Sequence, residues 1–594
     1  MFGICVWFVS KFFAKISNDR MKDFVSIWQN LLDRTVGRGP SHSVQIQRVS
    51  VSDPALHVPH SQSTYKGAII VCFLGMLALL SGTFIALAKP YDVLFKWKST
   101  FGDGGEIYEI WRTPPVDLYL RVFLWNVTNR DEFMSGKHTK LKVQEVGPYV
   151  YKELMSHENV TFNANGTLSA NPKHTLVWVP ELSEGRREDD LVIMPNIALL
   201  SIAHVVSDDS YFTKLGLNLI IRQTDSQPLV QMTAREFMFG YKSELMSLGN
   251  QFMPAWIYFD KLGLIDRMYD FDGDYETVYT GETDLKLSGL LDTYSGSTKI
   301  PQWDSPCGDV KYASDATKFN SFIKPNDTLL FFRKSMCRAK KLVRVNETVH
   351  TSMKAYVYNF ESSDDNGWVN ETNKCFCRTN KCLPPGLLDV NGCYYGFPIA
   401  LSYPHFLDGD KTLSKDVEGL NPDPEKHRSY FVVQPDSGLP LDVAVRYQIN
   451  MALGDIKTIA NSERFDNMIL PLLWTESRMY SLPETLATKF RFYLNVLPTA
   501  EQGSMYMFFA SGALLLLYSV IKFVNSSKKP QNFYNCPYLE EEFGHKQMKL
   551  DCYLPEKRAS MTKQELEDYF SSLVTPLNQE ISFLEFQEMK EEIV

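Results

Sequence analysis

The stretch Gly67–Ala88 (GAIIVCFLGMLALLSGTFIALA) carries no formal charge and is bracketed by Lys66 and Lys89. As an α-helix it reaches about 33 Å, enough to cross a hydrocarbon core of about 30 Å. Buried soluble helices are seldom this long without an ionisable group, so residues 67–88 read as a transmembrane helix. A second such stretch, Gln502–Ile521 (QGSMYMFFASGALLLLYSVI), lies between Glu501 and Lys522 and completes a pair. The remainder falls into a leading segment 1–66, a large central region 89–501 and a tail 522–594.

The formal net charge of −9 over 594 residues is mild and spread along the chain, and calls for no nucleic-acid partner. Six cysteines (Cys307, Cys337, Cys375, Cys377, Cys382, Cys393) crowd into one part of the central region. An even-numbered cluster between two spans points to disulfides in an oxidising compartment. Zinc is the alternative for Cys375-Phe-Cys377 with Cys382 and Cys393, but the spacing is not that of paired C-x-x-C knuckles, and no metal is expected. Six N-x-S/T sequons, at Asn126, Asn159, Asn165, Asn326, Asn346 and Asn370, agree with the cysteines and are the expected glycosylation sites. The central region is therefore expected to be lumenal or extracellular, and both termini cytosolic. Lys and Arg flank both sides of the first span and decide little, because long loops translocate regardless.

Periodicity gives the central region a mixed character. Val116–Thr128 alternates with period two and places Val116, Leu118, Leu120, Val122 and Leu124 on one face of a strand. Leu141–Tyr151 is a second strand, with a bulge or sheet edge expected at Gly147-Pro148. Asn163–Gly166 punctuates a hairpin, and His174–Val179 continues the sheet. Helical spacing takes over at Asn196–Val206 and Tyr211–Ile221, and Thr233-Ala-Arg-Glu236 is a capping box for a helix ending near Gly240. A helical subdomain projecting from the sheet is thus expected over about 191–253, with His204 a packed helix residue. Lys214 and Arg222 present charge there, and a solvated face is the plainer alternative. Asp270–Asp274 reads as an exposed acidic turn, since Gly273 is misplaced for a calcium loop. Strands resume at Ser429, Leu441–Met451 and Asn467–Trp474. The leading segment reads as leader plus Ser/Pro/His-rich linker. In the tail, the capping box Thr562–Glu565 and the amphipathic residues after it suggest helices for a cytosolic partner.

These pieces resemble the class B scavenger receptor family, which spans fatty-acid translocases, high-density-lipoprotein receptors, lysosomal integral membrane proteins and sensory neuron membrane proteins. The matching motifs run in order: Gly147-Pro148-Tyr149-Val150-Tyr151, Thr233-x-x-Glu236-x-x-x-Gly240-Tyr241, Cys375-Phe-Cys377, Pro404-His405-Phe406-Leu407, and Gly419-Leu-Asn-Pro-Asp-Pro-Glu-Lys-His427-Arg428. The resemblance implies an α+β membrane protein, two transmembrane helices flanking an ectodomain with an antiparallel β-barrel core and a helical apex. It implies the pairings Cys307–Cys375, Cys337–Cys393 and Cys377–Cys382. It also implies capture of lipids, fatty acids, sterol esters, carotenoids or lipoprotein particles, and an apolar tunnel toward the outer leaflet. No cofactor is implied. Lys214 and Arg222 match the family's cationic ligand site only loosely, and the leader and tail are longer than is usual.

Two other classes compete. A lysosomal or endosomal sorting receptor for a lumenal protein shares the architecture, although the tail has no acidic dileucine signal. A two-span ligand-gated channel needs polar pore-lining positions, and the second span offers only Ser504, Ser511 and Ser519 with Gly503 and Gly512. An enzyme is not expected, since no G-x-S-x-G, H-E-x-x-H or G-x-x-x-x-G-K-[ST] is present.

Overall fold

The computed structural model describes residues 62–247, 261–361, 371–377, 382–394 and 396–527. The expectations for residues 1–61, Asn370 and the tail beyond 527, and for the end of the apex past 247, lie outside the described residues.

The first long helix, α1 (Gln62–Ala88), is apolar all round, as suits a helix surrounded by lipid. Lys89, at φ 41°, turns the chain out of it, and Pro90 opens α2 (Pro90–Ser99), followed by α3 (Glu106–Arg112). Three antiparallel strands then form a meander: β1 (Leu118–Val127), β2 (Leu141–Phe162) and β3 (Thr167–Trp178). The irregularity expected at Gly147-Pro148 is a bulge: between Val122↔Tyr149 and Leu124↔Val146 the single residue Phe123 of β1 lies opposite Gly147 and Pro148 of β2. A Cβ on Gly147 would lie 2.7 Å from the Phe123 ring. β2 runs on past the bulge to Phe162 and pairs with β3 from Tyr151 onward. One sequence expectation is corrected, since β1 does not bury a single face: Val122 to Trp125 are all buried, because Trp474 stacks on Phe123 at 3.9 Å and His405 meets Trp125 edge-on.

The chain then leaves the sheet for β4 (Leu191–Pro195), α4 (Ile197–Val206), α5 (Tyr211–Gln223), β5 (Leu229–Thr233) and α6 (Ala234–Phe239). Each helix starts on a side-chain cap, from Asn196, Ser210 and Thr233, and the Thr233–Glu236 capping box is fully formed. The apex is not purely helical, since β4 and β5 pair as an antiparallel ribbon. Runs of five residues are too short for their period to separate strand from helix.

Back in the sheet come β6 (Glu276–Tyr279), β7 (Leu291–Tyr294), β8 (Leu329–Arg333), β9 (Arg338–His350) and β10 (Met353–Phe360). They are followed by β11 (Leu388–Asp389), β12 (Ile399–Ser402), β13 (Val417–Glu418), β14 (Tyr430–Val433), β15 (Pro440–Ala452) and β16 (Ile469–Met479). The main path runs β7-β6-β3-β2-β1-β16-β15-β14-β10-β9-β8, antiparallel throughout. Its two ends are joined by the segment Tyr312–Ser314. Tyr312 and Ala313 exchange backbone hydrogen bonds with Leu291 of β7, while Ser314 bonds to Leu330 and Phe332 of β8. The sheet thereby closes on itself, which removes its exposed edges.

After β16, α7 (Glu484–Arg491) and a π-helical turn (Phe492–Val496) lead into α8 (Leu497–Ser527), the second helix long and apolar enough to cross a membrane. α1 and α8 pack through small residues: a Cβ on Gly75 would lie 3.2 Å from Gly512 O, and Ser519 Oγ donates to Ala68 O at 2.9 Å. The architecture is that of a two-span α+β membrane protein.

Candidate functional site

Three hollows follow one another through the ectodomain. The central one, about 140 Å³, lies among Ile110, Trp111, Val116, Leu118 and Val443, close to where α3 and α7 meet the sheet. A smaller hollow of about 50 Å³, lined by Tyr91, Leu94, Phe95, Tyr493 and Leu494, shares Ile107, Ile110, Lys318, Leu439 and Phe490 with it. α2 and the π-helical turn supply that lining, so this end adjoins the two spans. On the other side, a hollow of about 680 Å³ shares Tyr294, Phe332 and Lys334 with the central one. Its outer wall is the disulfide region, including Trp303, Cys337 and Cys393.

That region carries three bridges, Cys307–Cys375, Cys337–Cys393 and Cys377–Cys382. Trp303 Nε1 donates to Cys337 O at 2.6 Å, and the Arg338 guanidinium lies 3.8 Å from the Phe376 ring centroid. The acidic turn nearby is only partly exposed. Asp270 pairs with Arg267 at 2.7 Å, and Asp274 is held by Lys334 and accepts from Tyr294 OH.

The central hollow is largely apolar, and its polar wall groups were not singled out from the sequence. Glu153, fully buried on β2, accepts from His174 Nδ1 at 2.6 Å, Tyr269 OH at 2.9 Å and Arg333 Nη2 at 3.3 Å. Burial works to raise its pKa, but Arg333, His174 and Tyr269 outweigh that and hold the carboxyl down to about 2. Lys318 is buried at the wall shared with the membrane-side hollow. Its Nζ donates to Ser288 O at 2.8 Å and to Phe319 O and Ser321 Oγ at 3.1 Å, and burial pushes the amine down to about 7. A signal for Glu153 was present in the alternation of β2, whose inward row Tyr151, Glu153, Met155 and His157 mixes apolar with ionisable groups, whereas nothing local marked Lys318.

Lys214 is half-buried and Arg222 exposed, both on α5 and separated along its axis by about 12 Å. They do not converge on one point and lie apart from the hollows. The same helix exposes Tyr211, Phe212, Leu215 and Leu219. His204 is packed, its Nδ1 accepting from Gly454 N at 2.9 Å. Among the sequon residues, Asn159, Asn165, Asn326 and Asn346 are exposed. Asn126 is half-buried, and its Oδ1 accepts from Ile193 N at 2.8 Å.

The Pro404–Leu407 and Gly419–Arg428 motifs build a polar knot. His405 Nε2 and Trp474 Nε1 both bond to Glu145 Oε2, at 2.9 and 2.8 Å, while His405 and His427 stack at 4.1 Å. The backbone N–H groups of Asn421 and Asp423 donate to the Nδ1 atoms of His405 and His427. Burial, with His405 beside it, pushes His427 down to about 4. These residues fix loops to the sheet and touch none of the three hollows.

A closed antiparallel barrel carried on two spans, bridged by disulfides and hollow toward the membrane, defines a receptor-like ectodomain. The sequence profile of the CD36 family matches residues 69–523, and the chain belongs to that family. It is similar to scavenger receptor class B member 1 of Cricetulus griseus, with 30% identity over 471 residues, 79% of this chain and 87% of the relative. Protein peste of Drosophila melanogaster is 24% identical over 428 residues (70% and 76%), and lysosome membrane protein 2 of Homo sapiens is 25% identical over 422 (69% and 86%).

Proposed function

We propose that this protein is a class B scavenger-type receptor that binds lipids or lipoproteins and passes single amphiphiles through its ectodomain to the outer leaflet. The observation that carries this reading is the series of hollows with shared walls, ending beside the two spans. Each methylene leaving water gains about 0.8 kcal/mol, so a sixteen-carbon chain faces roughly 12 kcal/mol when exposed in transit. An apolar conduit removes most of that barrier without ATP, and flow follows the lipid gradient. The central hollow, about 140 Å³, is close to the size that admits one benzene, so such a chain threads it extended and does not coil there. The α5 apex, with Lys214, Arg222 and its exposed aromatics, is the proposed capture surface for particles. We place the ectodomain on the extracellular or lumenal side, with Asn159, Asn165, Asn326 and Asn346 glycosylated, both termini cytosolic, and the protein at the plasma membrane or in endosomes and lysosomes.

The test is uptake of a labelled fatty acid and a labelled sterol ester by cells expressing the full chain, compared with Leu439→Trp, which narrows the wall between the central and membrane-side hollows. Uptake falls to the level of untransfected cells at equal surface amount, while particle binding is retained. Unchanged uptake in the variant, or a purified chain whose native mass spectrum carries no lipid, overturns the conduit.

A further inference from the structure

Beside the central hollow, β2, β6 and the segment that closes the barrel bring together His157, Glu276 and Asp315. Their ligand atoms lie within 4.8 Å of one another. His157 is 1% exposed and Glu276 6%, while Asp315 is half-buried. Trp111 O lies 2.9 Å from His157 Nδ1, and a carbonyl can only accept, so Nδ1 holds the proton and donates. Stacking on Trp111 at 3.8 Å fixes the ring plane. The other nitrogen, Nε2, is buried and pairs with Glu276 Oε1 at 3.0 Å, short of a well-aligned hydrogen bond. A backbone carbonyl that engages Nδ1–H while Nε2 faces carboxylates is an arrangement in which a metal ion can take the place of the Nε2 proton.

Charge points the same way. Two carboxylates face one imidazole, so even a doubly protonated ring leaves one negative charge unanswered. Among the described residues, no lysine or arginine pairs with Glu276 or Asp315. Lys318, three residues from Asp315, gives its amine to Ser288 O, Phe319 O and Ser321 Oγ. Asp315 keeps Oδ2 available, because Thr317 N and Oγ1 both bond to Oδ1. Buried carboxylates without a counter-charge are costly, and a divalent cation supplies one.

We propose that His157, Glu276 and Asp315 form a site for one divalent transition-metal cation, zinc by ligand chemistry, opening onto the central hollow. One imidazole nitrogen and two carboxylates suit zinc, whose ligands at about 2.0–2.2 Å lie roughly 3.3 Å apart in a tetrahedron. His157 and Glu276 are near that separation, and Asp315 closes in by roughly 1–2 Å. The fourth position faces the hollow and is left for water or for an anionic head group. Bound metal ties β2 and β6 to the segment that joins β7 to β8, and so braces the closure of the barrel. The site is independent of whether lipid passes.

The test uses the full chain in detergent micelles, stripped with EDTA, desalted and titrated with ZnCl₂. One equivalent binds, and Asp315→Asn, which keeps the Oδ1 acceptor for Thr317, weakens binding at least about tenfold. Glu276→Gln does the same. Zinc raises the thermal midpoint of the wild type and leaves that of Asp315→Asn unmoved. A readout that needs no variant is zinc K-edge absorption of the loaded wild type, which shows one nitrogen and oxygens as nearest neighbours. No stoichiometric binding, binding that both variants leave unchanged, or a shell containing sulfur overturns the proposal.

Discussion

Replacing Glu153 with glutamine keeps the shape of the side chain and removes its charge, which tests the buried carboxylate held by Arg333, His174 and Tyr269 at the wall of the central hollow. The Glu153 side chain is 0% exposed and that of Arg333 13%, so solvent screens the pair little. The Glu153 carboxyl is lowered from 4.5 to about 2 in the folded chain. At 1.36 kcal/mol per unit, that shift corresponds to about 3 kcal/mol of stability at neutral pH. Removing one partner of a buried pair costs about 3–5 kcal/mol by direct comparison, in agreement. The sign follows from the acid being stronger when folded. The contribution is whole above about pH 4.5 and is lost as pH falls through about 2, with more than half gone by about pH 3. The assay is equilibrium urea unfolding of the disulfide-intact chain in detergent, followed by tryptophan fluorescence, for wild type and Glu153→Gln at pH 7, 4 and 3. The gap is about 3 kcal/mol at pH 7 and narrows on acidification. A gap under about 1 kcal/mol at pH 7, the range of exposed pairs, or one that does not narrow, refutes the assignment.

Lys318 is a base made weaker by folding. Between about pH 7 and 10.5 the unfolded chain holds its proton and the folded chain does not, so stability climbs with pH, by about 2 kcal/mol from pH 7 to 9. Lys318→Met flattens that slope in the same unfolding assay. The disulfides rank by loop length. Losing Cys337–Cys393 or Cys307–Cys375, with separations of 56 and 68, costs about 4 kcal/mol, and losing Cys377–Cys382, with a separation of 5, costs about 2, as read by thermal midpoints of paired Cys→Ala variants. Gly75→Leu puts a side chain where Leu516 and the Gly512 carbonyl already lie within 3.2 Å, so α1 and α8 separate. Disulfide cross-linking between Ala68→Cys and Ser519→Cys, efficient in an otherwise wild-type chain, is then lost.

Several elements were legible along the chain because their cause is local. A run as long and uncharged as Gly67–Ala88 satisfies its backbone only as a helix and its side chains only in lipid. The Thr233–Glu236 capping box sets a helix start from residues three apart, and β1 was recognisable from its period, although its second buried face was not. Asn196 and Ser210 cap the apex helices that the spacing indicated. The motif histidines His405 and His427 stood out as residues, but only their stacking on each other and the bonds of His405 and Trp474 to Glu145 reveal that they are structural.

What the sequence by itself determined was therefore the two spans, the alternation of sheet and helix, and the chemical inventory of cysteines and sequons. Tertiary structure decided the closure of the barrel by Tyr312–Ser314, the hollows and the company that Glu153, Lys318 and His157 keep. The physical reason is that periodicity and capping are relations between near neighbours in the chain. A hollow is a volume left unfilled between distant segments, such as Ile110, Phe331 and Val443, and a buried charge is answered by whichever strand the fold lays beside it.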